Sequence, residues 1–311
     1  LKKIKISPEI KQALGIDEAI LELEPSDLIK HILTSPVDLL WNGGIGTYVK
    51  SSTETNVDVD DKVNDALRVN GEDLRVKVVG EGGNLGFTQA ARVEFSLNKG
   101  FVYTDAIDNA AGVNCSDHEV NIKILLDDVV KAGELDLIKR NELLASMEKE
   151  VGKIVLNNNY QQTQAIDNML FQNQVVFYGY LRLIQLLEKL GVLKRKAECI
   201  PSDKVLKARF NMGLGLTAPE VSVLLAYSKI VLKEELLKSS IPYDAYFKVY
   251  LYKAFPNILV EKYKGFIDRH YLAREIIVTQ LLNELVQYMG MGFVGRLIDA
   301  TGATSEQVLC A

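Results

Sequence analysis

Two asparagines, a serine and a short acid–base run are the residues of this chain best equipped for chemistry. Asn84 closes Gly80-Glu81-Gly82-Gly83-Asn84, and Asn109 lies within Asp105-Ala106-Ile107-Asp108-Asn109-Ala110-Ala111-Gly112; each loop follows a short apolar run. A carboxamide side chain carries both a donor and an acceptor. That suits it to hold another carboxamide or a ribose hydroxyl, and equally to cap its own turn. Ser116 either caps the helical residues after it or points its hydroxyl at a substrate carboxylate. Asp117-His118-Glu119 has acid–base groups without a partner in sequence, and its acidic charges suit a helix N-terminus. Glycines in the 80–86 loop permit a sharp turn or close approach of a ligand. With a helix opening at Thr88, such a loop can offer backbone N–H groups to an anion or an amide, or it can be a tight turn and nothing more. Gly43-Gly44-Ile45-Gly46 is open to the same two readings. It lacks GxGxxG spacing, and Lys50-Ser51 follows Val49 rather than glycine, so it is not a phosphate-binding P-loop.

These loops need strands to hold them. Val76–Val79 and Phe101–Tyr103 are short continuous apolar runs, each flanked by a glycine, and read as buried strands of a parallel sheet; Val37–Trp41 is a third. Helical segments at Asp58–Leu67 and Thr88–Ser96 separate the strands, a βαβ succession with right-handed crossovers. Ligands collect beyond the carboxyl ends of such strands, so the loops after Val79 and Tyr103 should face one crevice. Ahead of them, Ser7 caps a short helix that starts on Pro8 and stops at Gly15. Pro25-Ser26-Asp27 opens another, and Pro36 ends it.

Beyond Ser116 glycine and proline thin out and helical periodicity takes over. The spacing predicts helices over Glu119–Val130, stopped by Gly133, and over Asn141–Leu156. A third carries Phe177, Leu181, Ile184 and Leu187 on one face and stops at Gly191. Thr217-Ala218-Pro219-Glu220 reads as a capping box before a fourth, with Val221, Leu225, Leu232 and Leu236 inward. Ile277, Leu281, Leu285 and Tyr288 mark a fifth, ended by Gly290. The aromatic segment Tyr243–Tyr263 is expected in the core. The fold class is α/β followed by all-α.

A net charge of -5 and a pI near 5.5 give no electrostatic reason for a nucleic-acid partner. No stretch reads as a membrane span or a secretory signal. Cys115, Cys199 and Cys310 are odd in number and far apart, as expected of reduced thiols in the cytoplasm. With His31, His118 and His270 as the only histidines, no metal site is expected. The chain begins on Leu1 and stops in a helical pattern at SEQVLCA, as a piece of a longer polypeptide would.

The strings PVDLLWNGGIGTYVKSS, NDALRVNGEDLRVKVVGEGGNLGFTQAARVEF and TDAIDNAAGVNCSDHEVNIKILLD take the reading further. They resemble the large bacterial NAD-dependent glutamate dehydrogenases, densely from Pro36 to Asp127 and more loosely through the helical half. The resemblance implies a partial Rossmann-like NAD-binding domain over 1–130 and a larger helical C-terminal domain over 131–311. It implies coenzyme contacts from Gly43, Gly44, Gly46, Gly80, Glu81, Gly82, Gly83, Asn84 and Asn109, with Asn84 at the nicotinamide riboside. Ser116 matches a serine that holds the side-chain carboxylate of glutamate. The family's catalytic lysine and aspartate have no match here, so the expected partners are L-glutamate or 2-oxoglutarate, the upstream polypeptide and further copies in a homo-oligomer. The alternatives are another amino-acid dehydrogenase, or a non-catalytic helical interaction module on a degenerate nucleotide fold.

Overall fold

The structure, a computed structural model, describes residues 2–310 and divides into two units, 1–109 with 194–223, and 110–193 with 224–311. In the first, β1 (Ile4–Lys5) leads into α1 (Pro8–Leu14), and β2 (Glu22–Leu23) returns antiparallel to β1. Ser7 accepts the N–H of Ile10, Pro8 takes the first helical position, and Gly15 closes the helix at φ 65°, all as its sequence requires. α2 (Pro25–Leu33) precedes β3 (Leu39–Asn42) and β4 (Val49–Lys50). A helix of one turn, α3 (Asn56–Val59), leads to β5 (Val69–Asn70) and β6 (Val78–Glu81), and then α4 (Gln89–Leu97) and α5 (Asp105–Asp108) follow.

From β3 onward the pairing is parallel, as the apolar runs predict. β3 lies beside β6 with Leu39 opposite Val78 and Asn42 opposite Glu81, and β4 lies beside β5. Phe101 joins through a single parallel bridge to Val78 rather than a full strand. The helix expected over Asp58–Leu67 is broken, because buried Arg68 gathers the segment around itself. Its guanidinium donates to the carbonyls of Thr47 (2.9 Å) and Asp61 (2.6 Å) and to Asp65 (2.5 Å), claiming backbone that a helix would need for its own ladder.

Val49, Val76, Val79, Phe87, Phe95 and Val102 fill the core of this unit. Burial on both faces, expected of continuous apolar runs, holds on one face only: Leu39, Trp41, Val78 and Phe101 remain 54, 60, 40 and 73% exposed. Side chains alternate along a strand, so Leu39, Trp41 and Val78 share the open face while Val79 points into the core.

The second unit is helical: α6 (Ala110–Lys131), α7 (Leu137–Phe171) and α8 (Asn173–Lys189) come first. α9 (Asp203–Asn211) returns to the first unit, and α10 (Ala218–Leu236), α11 (Lys248–Lys253), α12 (Asn257–Ile267), α13 (Ala273–Met289), α14 (Phe293–Thr301) and α15 (Ser305–Cys310) follow. Glycines 133, 191 and 290 stop helices at φ 77, 74 and 77°. Leu125, Leu126 and Val129 of α6 pack with Met147, Ile277 and Leu281 in one core. Each such side chain contributes roughly 1.5–3 kcal/mol by leaving water.

Two helices of this unit run further than expected. α6 begins at Ala110 rather than Glu119, since the low helix propensity of Gly112, Asn114 and Ser116 is overridden within a helix anchored by its buried later turns. α7 runs through Gly152 to Phe171 because Ala165, Ile166 and Met169 continue its buried face past the polar run at 157–164. By compactness the chain divides after Asn109, and residues 194–223 join the first unit. In the aromatic segment Phe247 and Phe255 are buried, whereas Tyr243 and Tyr246 are exposed.

Candidate functional site

Beyond β3 and β6 the two glycine loops meet. The N–H groups of Gly82 and Gly83 both donate to the carbonyl of Asn42, at 2.9 and 3.1 Å, and the N–H of Tyr48 donates to that of Gly86 at 2.9 Å. Thr47 adds its hydroxyl to the carbonyl of Leu85 at 2.7 Å. This contact explains the glycines. A Cβ on Gly83 would stand 2.6 Å from the carbonyl oxygen of Gly44, and one on Gly86 1.6 Å from Nδ2 of Asn42. Trp41 crosses the other two positions: a Cβ on Gly80 or Gly82 would come within 2.6 or 2.7 Å of its ring. Gly46 sits at φ 131°, a backbone open to glycine alone. Gly43 and Gly44 have no comparably tight neighbour, so packing accounts for Gly46, Gly80, Gly82, Gly83 and Gly86 but not for those two.

Glu81, grouped with the coenzyme contacts by its place in the loop, is completely buried. Arg92 of α4 donates to its carboxylate from Nε (2.6 Å) and Nη2 (3.0 Å), and the N–H of Phe87 adds a third bond at 3.0 Å. Every oxygen is thus engaged by the fold, and the side chain has no face left for a ligand. Burial pushes the Glu81 carboxyl up against the pull of Arg92. Glu81 and two further acids hold Arg92 in its charged form despite burial.

Those two acids tie the second loop to the first. Asp105 lies 3.4 Å from Arg92 and accepts the N–H of Leu85 at 2.8 Å; Asp108 accepts the N–H of Glu81 at 2.9 Å. Burial raises the Asp108 carboxyl to about 6; the Glu81 N–H and Arg92 oppose the rise, while the Glu81 and Asp105 carboxylates add to it. The 80–86 and 104–109 loops therefore adjoin, as strand-end loops facing one crevice should. Sequence reading missed Trp41, Arg92, Asp105 and Asp108. Only the apolar company of Trp41 in a strand ending in glycines hinted at its place.

The two asparagines come together on the exposed side of this network. Nδ2 of Asn109 donates to Oδ1 of Asn84 at 2.8 Å. The pair uses one donor and one acceptor internally. It therefore leaves one amide N–H₂ and one amide carbonyl without a protein partner among the described residues, whichever way round the two groups are assigned. A carboxamide ligand presents the complement of that pair.

Ser116 belongs to the second unit. It is exposed within α6 rather than at its start, so the N-cap reading is set aside, and its hydroxyl has no protein partner among the described residues. The neighbouring run also sits inside the helix instead of at its N-terminus. His118 is buried against the carbonyl of Ala254 at 3.2 Å, with burial lowering its pKa, and Glu119 pairs with Lys123. The Asp117-His118-Glu119 run therefore serves packing and the helix surface.

The family model for the bacterial NAD-glutamate dehydrogenase catalytic domain matches residues 1–169, and the model for the glutamate dehydrogenase C-terminal region matches 213–311. The chain belongs to the bacterial NAD-glutamate dehydrogenase family. Its sequence is 53% identical over 307 residues to the NAD-specific glutamate dehydrogenase of Pseudomonas aeruginosa, and 50% identical over 307 to that of Halomonas elongata, each covering 99% of this chain. The enzyme of the same name from Mycobacterium tuberculosis is 42% identical across 97% of it. The chain spans only 19% of the length of these curated relatives. Among the described residues no helix is long and apolar enough to cross a membrane, and no cluster of three metal-ligating side chains occurs.

Proposed function

We propose that this chain supplies one wall of the coenzyme cleft and the helical C-terminal region of an NAD-dependent glutamate dehydrogenase. The parent reaction converts L-glutamate, NAD and water into 2-oxoglutarate, ammonium, NADH and a proton. The observation that carries the reading is the Asn84–Asn109 pair. It stands where parallel strands end, in a chain whose family is named for NAD, and its free donor and acceptor fit the carboxamide of a nicotinamide. The chemistry NAD supplies is acceptance of a hydride from Cα of glutamate.

The chain's own residues position rather than transfer. Asn84 and Asn109 orient the carboxamide and so fix which ring face meets the substrate. The Glu81–Arg92–Asp105–Asp108 network holds the two asparagine-bearing loops in register, a preorganisation that avoids ordering them on binding. Gly43 and Gly44, without tight neighbours of their own, leave backbone free to approach the coenzyme, whereas the remaining loop glycines secure the wall. Ser116 offers a hydroxyl to the distal carboxylate of glutamate. In this reading residues 1–130 complete the second half of a Rossmann-like domain. The catalytic lysine and aspartate come from the upstream polypeptide, and the whole acts as a cytoplasmic homo-oligomer.

The test compares the longer polypeptide carrying this chain with the 311-residue chain alone for glutamate-dependent NADH formation. Activity in the long form and none in the short one is expected. A long form that reduces NAD with alanine or leucine but not with glutamate would make this another amino-acid dehydrogenase. One inert with every amino acid would return it to a non-catalytic module.

A further inference from the structure

The second unit holds a pocket of unusual chemistry among α6, α7, α10 and α13. Six carboxamides, Asn114, Asn158, Gln161, Gln162, Asn283 and Gln287, line it together with one cation, Lys229, around a small cavity of about 50 Å³ that opens to solvent. Among the described residues no carboxylate lines it, and none of these seven side chains bonds another protein group. Amides that merely decorate a helix surface point into solvent singly. Here three helices, α6, α7 and α13, bring six of them to one pocket, and α10 adds a half-buried ammonium.

We propose that this pocket binds a small organic anion through its carboxylate, with Lys229 as counter-ion and the carboxamides as hydrogen-bond donors. One unpaired ammonium balances one carboxylate. The several lone-pair sites of the carboxylate oxygens are more than Lys229 alone can satisfy, and amide N–H₂ groups complete the set. The amide carbonyls that remain accept from a hydroxyl or amino group elsewhere on the ligand. A phosphate is the poorer match, because the pocket offers no arginine fork and no second cation. The titration of the lysine agrees. Burial lowers its pKa from 10.5 to about 8, and a bound carboxylate would favour its charged form. Neither Asn84 nor Asn109 lines it, and the proposal stands whether or not the coenzyme assignment does.

Reductive methylation followed by mass spectrometry tests it in the longer enzyme, with exposed Lys153 as internal reference. Added acetate should slow methylation of Lys229 saturably and leave Lys153 unchanged, because a bound carboxylate both covers the amine and favours its protonated form. Gln162→Leu and, separately, Asn158→Leu should raise the half-protecting acetate concentration about threefold to tenfold, one hydrogen bond each. Chloride at equal ionic strength protecting as well as acetate would reduce the effect to salt screening and overturn the site. Inorganic phosphate protecting better than acetate would overturn its carboxylate specificity. A Lys229 that stays unreactive without any anion would show that another part of the polypeptide already fills the pocket, and would overturn the proposal as well.

Discussion

Replacing Asn84 with alanine probes the coenzyme wall most sharply when it is paired with the same change at Asn109. In the proposed arrangement the single variant loses one direct hydrogen bond to the nicotinamide amide, and it also releases the Nδ2 of Asn109 from its 2.8 Å bond. Both groups are accessible to water, so neither is left as a buried unsatisfied atom, and the net worth of each bond is about 0.5–1.5 kcal/mol. One ligand bond together with the lost orientation of the partner gives about 1–2 kcal/mol, a loosening of NADH by roughly fivefold to thirtyfold. Asn109→Ala should cost a similar amount for the reciprocal reason. Because the two amides act as one unit, the double variant should cost little more than either single, leaving a coupling of about 1 kcal/mol. Quenching or enhancement of NADH fluorescence on titration into the longer enzyme measures all four corners of the cycle, with thermal midpoints as the control for folding. Dissociation constants unchanged in both singles, or two losses that simply add, would refute the paired-amide reasoning.

Other perturbations test the loop and the substrate anchor. Gly83→Ala meets the backbone carbonyl of Gly44 and should cost about 1–3 kcal/mol of stability, a few degrees in the thermal midpoint. Gly80→Ala meets only the Trp41 ring, which is 60% exposed and free to swing, so its loss should be smaller and should vanish in combination with Trp41→Ala; equal losses at both glycines would contradict this. The Asp108 carboxyl, raised from 3.8 to about 6, contributes stability that is fully present below pH 3.8 and is lost as pH rises through 6. Asp108→Asn should therefore stabilise the enzyme at pH 8 by about 1–2 kcal/mol, an upper limit near 3 being reduced by partial solvent access, and the gain should shrink toward pH 4. Thermal midpoints of parent and variant that run parallel across this range would discard the assignment. Ser116→Ala should raise the KM for glutamate by an amount worth roughly 1.5–3 kcal/mol while the coenzyme constant stays fixed; an unaltered KM returns Ser116 to a surface residue of α6.

Local chemistry was readable in this sequence and distant contact was not. Ser7, Thr88, Gly133, Gly191 and Gly290 announce helix ends because a cap or a left-handed residue acts within a turn or so of itself. The loop glycines signal that something approaches the backbone closely, yet at Gly83 the visitor is Gly44, nearly forty positions earlier, and no spacing rule reaches that far. Glu81 looks like a ligand-binding acid until Arg92, on the following helix, is seen to absorb it. The start of α6 is hidden because Gly112, Asn114 and Ser116 favour turns in isolation, and the helix is held by Ile122 and Leu125 further along. Asn84 and Asn109 were identifiable as candidates from their strand-end positions, but their mutual hydrogen bond needed the fold. Lys229 sits inside the apolar stretch of α10 and gives no sign in sequence of the amides that gather around it from other helices.

A structure of the longer enzyme with NADH bound reads the coenzyme wall directly. The nicotinamide carboxamide should lie about 3 Å from the free amide N–H₂ and carbonyl of the Asn84–Asn109 pair, with the Glu81–Arg92 ion pair unmoved beneath. NADH seated elsewhere, with both asparagines bonded only to each other and to protein groups, would contradict the assignment of this pair to the coenzyme.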